Sequence, residues 1–191
     1  MSQNLRRWLL LIVTTGVVLG IDQITKRLVV DSMLLGETRR PIEFLAPLFQ
    51  ITRSFNTGAA FGFIPGASDL FLIIAIVVVI GLFFYYPRIP NEAKITRFAI
   101  GLVCGGALGN AVDRMTYDHV VDFIHYQIPN VISNVSNLAD HAIVLGVLLI
   151  VYDSWRLERL EKRREAMLAE VAAEPDLVER EKEYREYNEN S

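Results

Sequence analysis

Four long apolar runs leave this chain few folds. They cover Trp8 to about Val30, Leu70 to Tyr86, Phe98 to about Val112, and Ala139 to about Tyr152. A hydrocarbon layer is crossed by a helix of about 20 apolar residues, because every backbone N–H and C=O must find its partner inside the segment. With 52% hydrophobic residues and a mean hydropathy of +0.31, the 191-residue chain is too apolar for a soluble domain of its size. The fourth run is short for a span, so it starts or ends in the interface. The expected fold is an all-α integral membrane protein with four transmembrane helices, a small extracytoplasmic β-sheet and a charged C-terminal helical tail.

The positive charges orient the spans. Arg6 and Arg7 precede the first; Arg88, Lys94 and Arg97 fill the link between the second and third; Arg156, Arg159, Lys162, Arg163 and Arg164 follow the fourth. By the positive-inside rule all three sets are cytoplasmic, as are both termini. Lys26, Arg27, Arg39, Arg40 and Arg53, in the first outer region, weigh against this assignment. Arg6 and Arg7 before an apolar run also resemble a signal peptide, but no small-residue cleavage site follows, so the first span is read as uncleaved. From Tyr152 onward there are eight Lys/Arg against twelve Asp/Glu, leaving eleven against ten in the rest. No basic face points to nucleic acid.

Residues 31–68 are too long for a simple connection. Pro41, Pro47, Gly58, Gly62, Pro65 and Gly66 punctuate them, while Phe44, Leu45, Leu48, Phe49, Ile51 and Phe55 show no helical period. Short strands in a small sheet on the outer membrane surface are expected here. Residues 116–138 read as a second outer loop that turns at Pro129 and Asn130. The membrane domain therefore covers 1–156. The extension 157–191 reads as a solvated helix to about Pro175, with opposite charges three and four apart, and as frayed beyond. A lone Cys104 in the third run excludes intrachain disulfides and reads as a packing residue.

The chemistry concentrates between Gly105 and Ile143, which hold four of the ten carboxylates before the tail: Asp113, Asp118, Asp122 and Asp140. Asp122 interrupts the apolar run Val120 to Ile124, and Asp140 opens the last one. A carboxylate in apolar surroundings resists ionisation, and two close together share a proton. One can then activate water while its protonated partner polarises a carbonyl, as an aspartic protease requires. The expected pair is Asp122 and Asp140, brought to one depth near the outer face.

Other polar residues have two readings each. Asp22 and Lys26 share a helix face four apart and either lock span one to its neighbours or support the site. Asn56 and Gly58 belong to a string, Asn56 to Gly62, that is a plain turn or supplies an amide able to orient a peptide or a carboxylate. Gly101, Gly105 and Gly109 recur every four residues, a pattern that lets helix backbones approach closely in lipid and places span three centrally. Asn110 and Arg114 follow on one face, where headgroups or substrate would be met. Asp113 either neutralises a neighbouring cation or stands third among catalytic candidates. His119, Asp122 and His125 are spaced by threes, but no His-Glu-x-x-His pattern supports a metal, and none is expected. His141 reads as an interface or packing residue, Trp8 and Trp155 as anchors at the cytoplasmic interface. Serine chemistry is disfavoured because Asp22 would hold Lys26, the one lysine near the outer site, in its charged form.

Together these strings resemble the lipoprotein signal peptidases, or signal peptidase II. The likeness rests on Asp22-x-x-x-Lys26, Asn56-x-Gly58-Ala59-Ala60-Phe61, Gly105 to Asn110 with Asp113-Arg114, Val120-Val121-Asp122-Phe123, and Asn137-x-Ala139-Asp140, and it spans about residues 8–155. It implies a bacterial plasma-membrane aspartic endopeptidase, monomeric and needing no cofactor, among membrane phospholipids. Such an enzyme removes signal peptides from prolipoproteins, before a cysteine carrying diacylglycerol. By the same likeness Asp122 and Asp140 are catalytic, Asn56, Asn110, Arg114 and Asn137 position substrate and carboxylates, and Asp22 and Lys26 support the site. Ser136 departs from the family, which has Phe there; the change is expected to alter packing at the entrance to span four and not the chemistry. A proton-linked carrier using the same carboxylates lacks the repeated halves such carriers show. A noncatalytic scaffold would instead depend on the tail.

Overall fold

The computed structural model describes residues 3–58, 67–128, 131–173 and 175–189. The part of the Asn56 string from Ala59 onward, with Pro65 and Gly66, and the turn at Pro129 and Asn130 lie outside the described residues. Residues 1–150 form one compact unit and 151–191 another.

Helix α1 runs Gln3–Ser32, α2 Ala67–Tyr85, α3 Lys94–Tyr117 and α4 Leu138–Ala173. Each contains a stretch long and apolar enough to cross a membrane. All four begin before the apolar limits read from the sequence, and α1, α3 and α4 also end beyond them. Hydropathy marks where a helix meets lipid, whereas Asp113 and Arg114 remain helical on faces where other groups receive them. Ile12, Ile24 and Leu28 on α1, Ile73 and Val77 on α2, and Val144 and Leu148 on α4 are exposed, which suits a surrounding of acyl chains.

Helix α3 is the central element, buried at Ala99, Ile100, Val103, Cys104, Ala107 and Ala111. Its glycines face two different helices. A Cβ on Gly105 would lie 2.9 Å from the carbonyl oxygen of Thr15, and one on Gly101 would lie 2.7 Å from the Thr14 Cβ. Gly106 is turned the other way, against the Ala139 carbonyl of α4, and Gly146 of α4 returns the contact at Ala99 and Val103. The small residues thus seat α3 between α1 and α4 at backbone distance, where dispersion is largest.

Segments from residues 31–68 and 116–138 build one sheet. Strands β1 (Thr38–Arg39), β2 (Phe49–Asn56), β3 (Val120–Ile128) and β4 (Ile132–Ser136) pair antiparallel in that order. Residues 116–138, expected as a loop, therefore contain its third and fourth strands. Their signal is hidden because Val120 to Ile124 are buried in succession, which removes the alternation of a half-exposed strand. Phe123 and Ile124 close on Val29 and Met33 at the end of α1, with Phe49, Ile51 and Leu138 around them. Helix α3 enters β3 through Asp118, at φ 60°, whose N–H bonds the Arg114 carbonyl at 3.0 Å. Aspartate tolerates this left-handed position better than most residues, and it ends the helix.

In the second unit, Lys162 pairs with Glu158 at 2.6 Å, and Arg159 stacks 3.8 Å over Trp155. The segment expected to fray is helical over Pro175–Glu189, labelled α5. Proline suits a first helical position, where its missing N–H costs nothing, so Pro175 starts a helix where it was read as a stop.

Substituting Gly109→Ala should lower the melting temperature by the equivalent of about 1–3 kcal/mol, the usual penalty of overpacking, because the new Cβ would lie 2.5 Å from Asp22 Oδ2. Gly81→Ala, which meets nothing within 4 Å, should leave it unchanged or raise it; thermal unfolding in detergent compares the two.

Candidate active site

Lys26 is 2% exposed, and its ammonium group has three partners. Nζ lies 2.8 Å from Asp22 Oδ2 and 2.8 Å from Asp113 Oδ2, and donates to Asn110 Oδ1 at 3.0 Å. An ammonium group has three hydrogens, so it is fully used. The carboxylates are used as well. Asp22 Oδ1 accepts the Ala139 N–H at 2.9 Å, and Asp113 Oδ2 accepts the Val121 N–H at 3.0 Å. One buried cluster therefore joins α1, α3, β3 and the start of α4.

Gln23 is a member that the sequence reading passed over. Its amide donates to Asp113 Oδ1 at 2.9 Å, to the Gly109 carbonyl at 3.1 Å and to Asp22 Oδ2 at 3.2 Å. A polar residue beside Asp22 in an apolar run was the available signal. Asp113, facing Lys26, Gln23 and the β3 backbone, takes the cation-neutralising position.

Asp122 and Asp140 come together through Asn137. Its Nδ2 donates to Asp122 Oδ1 at 2.6 Å, and its Oδ1 accepts the Asp140 N–H at 2.9 Å. Asn137 precedes α4 and is fully buried, so its side chain caps the helix while gripping β3. The two bonds also fix which way the amide points, since only its oxygen can accept. Asn110 works similarly: Lys26 occupies its oxygen, which turns Nδ2 to Asp140 Oδ1 at 2.7 Å.

Ser136 reaches the other oxygen, Asp140 Oδ2, at 3.2 Å. The departure at this position was expected to affect packing alone; the hydroxyl instead touches the carboxylate. Burial is the main cause that pushes the Asp122 carboxyl up to about 6, and the charge of Asp140 adds to it, while hydrogen bonds from Asn137 and Asn56 act in the opposite sense.

Asn56 ends β2, and its Oδ1 accepts the Gly58 N–H at 2.8 Å, an Asx turn. Gly58 has φ +78° and abuts the Phe71 ring, so both its conformation and the space beside it require glycine. On Phe71 lies the Arg114 guanidinium, 5.5 Å from the ring centroid. Arg114 Nη1 donates to the Asn110 carbonyl at 3.2 Å, but its buried Nε has no acceptor among the described residues.

The histidines spaced by threes do not converge. They lie on or beside a strand, where residues three apart point to opposite faces. His119 contacts Phe55 and Tyr117, while His125 bonds Thr52 and Ser133, each at 2.9 Å. His141 bonds Tyr126 at 3.1 Å.

Two apolar hollows reach residues of this cluster. One of 450 Å³ follows α4 from Ser136 and Asp140 past Val144 to Leu148. The other, of 250 Å³, lies among α2, α3 and α4 and reaches Asn110 and Arg114 from Ile74 and Val78.

Comparison with known proteins gives one consistent result. The family described as signal peptidase (SPase) II matches residues 12–156. The lipoprotein signal peptidase of Anoxybacillus flavithermus is 41% identical over 146 residues, which is 76% of this chain and 85% of that one. That of Bacillus subtilis is 39% identical over 133 residues, 70% and 84% of the respective chains. A solved bacterial membrane enzyme superposes with a TM-score of 0.66 at 32% identity, over 76% of this chain and 87% of its own.

Lys26→Met should destabilise the fold by about 3–5 kcal/mol, since it leaves two buried carboxylates facing each other. Asp122→Asn should act oppositely at neutral pH. The folded protein holds the Asp122 proton more tightly than the unfolded chain, so stability present below pH 4 is lost as pH rises through about 6. The variant should therefore unfold later than the parent at pH 7, by roughly 2–3 kcal/mol, with the difference gone below pH 4. Thermal melts across that range check both.

Proposed function

The chain belongs to the signal peptidase II family, and from that premise we propose a membrane aspartic endopeptidase that removes the signal peptide of prolipoproteins immediately before a diacylglyceryl-modified cysteine. The observation that carries this reading is the single amide of Asn137, which bonds the side chain of Asp122 and the backbone of Asp140. It supports a pair acting on one water.

In this mechanism Asp122 holds the proton, the form that its burial favours. Asp140 is the ionised member, at the start of α4 where the helix dipole favours negative charge, with donors from Asn110 and Ser136. Asp140 takes a proton from water, whose oxygen attacks the carbonyl carbon preceding the cysteine, and Asp122 protonates the carbonyl oxygen. The intermediate collapses as the C–N bond breaks: Asp140 passes its proton to the leaving amine, and one hydroxyl returns a proton to Asp122. Arg114, with Nε open, and Asn56 position the peptide. The hollow along α4 and the one among α2, α3 and α4 suit apolar portions of a substrate that stays in the bilayer. Both termini are cytoplasmic, and the carboxylates and sheet lie at the outer face of a bacterial plasma membrane. Residues 1–156 are the peptidase, working as a monomer, and 157–191 an extension.

The test is incubation of the purified protein with a diacylglyceryl-modified prolipoprotein and its unmodified twin, with mass spectrometry of the products. Cleavage of the modified form alone, before the cysteine, is the expected result. Asp122→Asn and Asp140→Asn should each lower the rate by roughly 10³-fold or more in a folded, membrane-inserted protein. Near-normal turnover by either removes that residue from the mechanism.

A further inference from the structure

At the other end of the helices from the carboxylates, Arg6 and Arg7 lie in the opening turns of α1, and Lys94 and Arg97 in the first turn of α3. Asp22 follows Arg7 by fifteen residues along α1, so the two ends are separated by roughly 20 Å. With Leu10, Asn91 and Glu92, the four cations line a cavity of 580 Å³. Glu92 is the sole carboxylate on this lining, and none of the four cations is within ion-pairing distance of a described acidic residue.

Arg97 sets this cavity apart from a scatter of surface charge. It is 4% exposed, and its Nη2 donates to the Ile89 carbonyl and, at 3.4 Å, to Asn91 Oδ1, while Nε finds no acceptor among the described residues. A buried guanidinium N–H without an acceptor is costly, and a charged oxygen is its best remedy. The start of α3 adds to the positive field, because no side chain caps it at Ala93. Positive charge at one end of a membrane protein orients the chain, but exposed side chains would do that equally well. Orientation does not require a buried arginine with an open N–H.

Depth narrows the ligand further. Trp8 packs 5.0 Å from Phe83 and 5.3 Å from Tyr86, whose hydroxyl donates to the Arg7 carbonyl at 2.7 Å. Aromatic side chains of this kind collect at the level of lipid headgroups, where basic pockets between helices meet acidic lipids. We propose that this cavity is a binding site for a phosphate group, supplied by an anionic phospholipid, with Arg97 at its base and Arg6, Arg7 and Lys94 around it.

The test is native mass spectrometry of the full chain titrated with phosphatidylglycerol or phosphatidylcholine, with inorganic phosphate as competitor. Phosphatidylglycerol should bind at least tenfold more tightly, because the choline cation is repelled. Arg7→Gln and Lys94→Gln should each weaken it about fivefold. Both are on the rim, so they test the site even where Arg97→Gln fails to fold. Millimolar inorganic phosphate should leave the lipid bound; displacement would overturn the lipid as source and assign the site to free phosphate. Equal retention of phosphatidylglycerol by the parent and the Arg7/Lys94 double variant overturns the site altogether. Cleavage of lipidated substrate in lipid-free detergent should be unchanged in the double variant, and its loss would mean that these cations hold the helices together, which also overturns the proposal.

Discussion

The structure turns on a single ammonium group placed where water cannot reach it. Lys26 is held by Asp22, Asp113 and Asn110, and through them it reaches two backbone N–H groups outside its own helix, at Ala139 and Val121. A charge this deep is tolerated only when every donor and acceptor around it is matched, and here the matching groups come from three helices and a strand. The cluster also aims what lies next to it. By taking the oxygen of Asn110, Lys26 leaves the amide nitrogen to Asp140. The electrostatics of the support and the geometry of the carboxylates are one problem solved once.

Close approach makes the cluster possible. Lys26 and Asp22 can reach Asp113 because α1 and α3 meet across glycines, and Asp22 can reach the start of α4 because Gly109 leaves room for its carboxylate. Between helices in lipid there is no hydrophobic gain to drive association, so packing and buried polar bonds carry the load. Both are present in the same few turns. At the sheet end of the bundle, Phe123 and Ile124 of β3 close over Val29 and Met33, which leaves Asp122, on the same strand, directed to Asn137.

The spans were legible because hydropathy over twenty residues is a strong signal, and the Asp22 and Lys26 pair because four residues make one helical turn. What stayed hidden depends on distance in the chain. Strand β2 pairs with β3 across more than sixty residues, through a register shift between Ile51 and Ser54, and nothing local encodes that pairing. The stretch Val120 to Ile124 of β3 lacks alternation because both its faces are covered. The extents of α3 and α4 were underestimated for a related reason: a helix continues wherever its polar side chains find partners, which an apolar count does not see. At the site, Asp122 and Asp140 stood out as charges in apolar runs. Gln23 and the left-handed Asp118 did not, and Ser136 stood out without its contact to Asp140, since each takes its meaning from a neighbour that only the fold supplies.

One consequence concerns the order in which such a chain is made. The bond from the Ala139 N–H to Asp22 ties the last apolar helix to the first, and Asp140 is contributed by that same late turn. A nascent chain with three helices inserted has Asp122 but neither its cap nor its counterpart. The pair is thus complete only when translation has delivered the final helix and the first has waited for it, so the architecture itself delays assembly of the carboxylates until the bundle is whole.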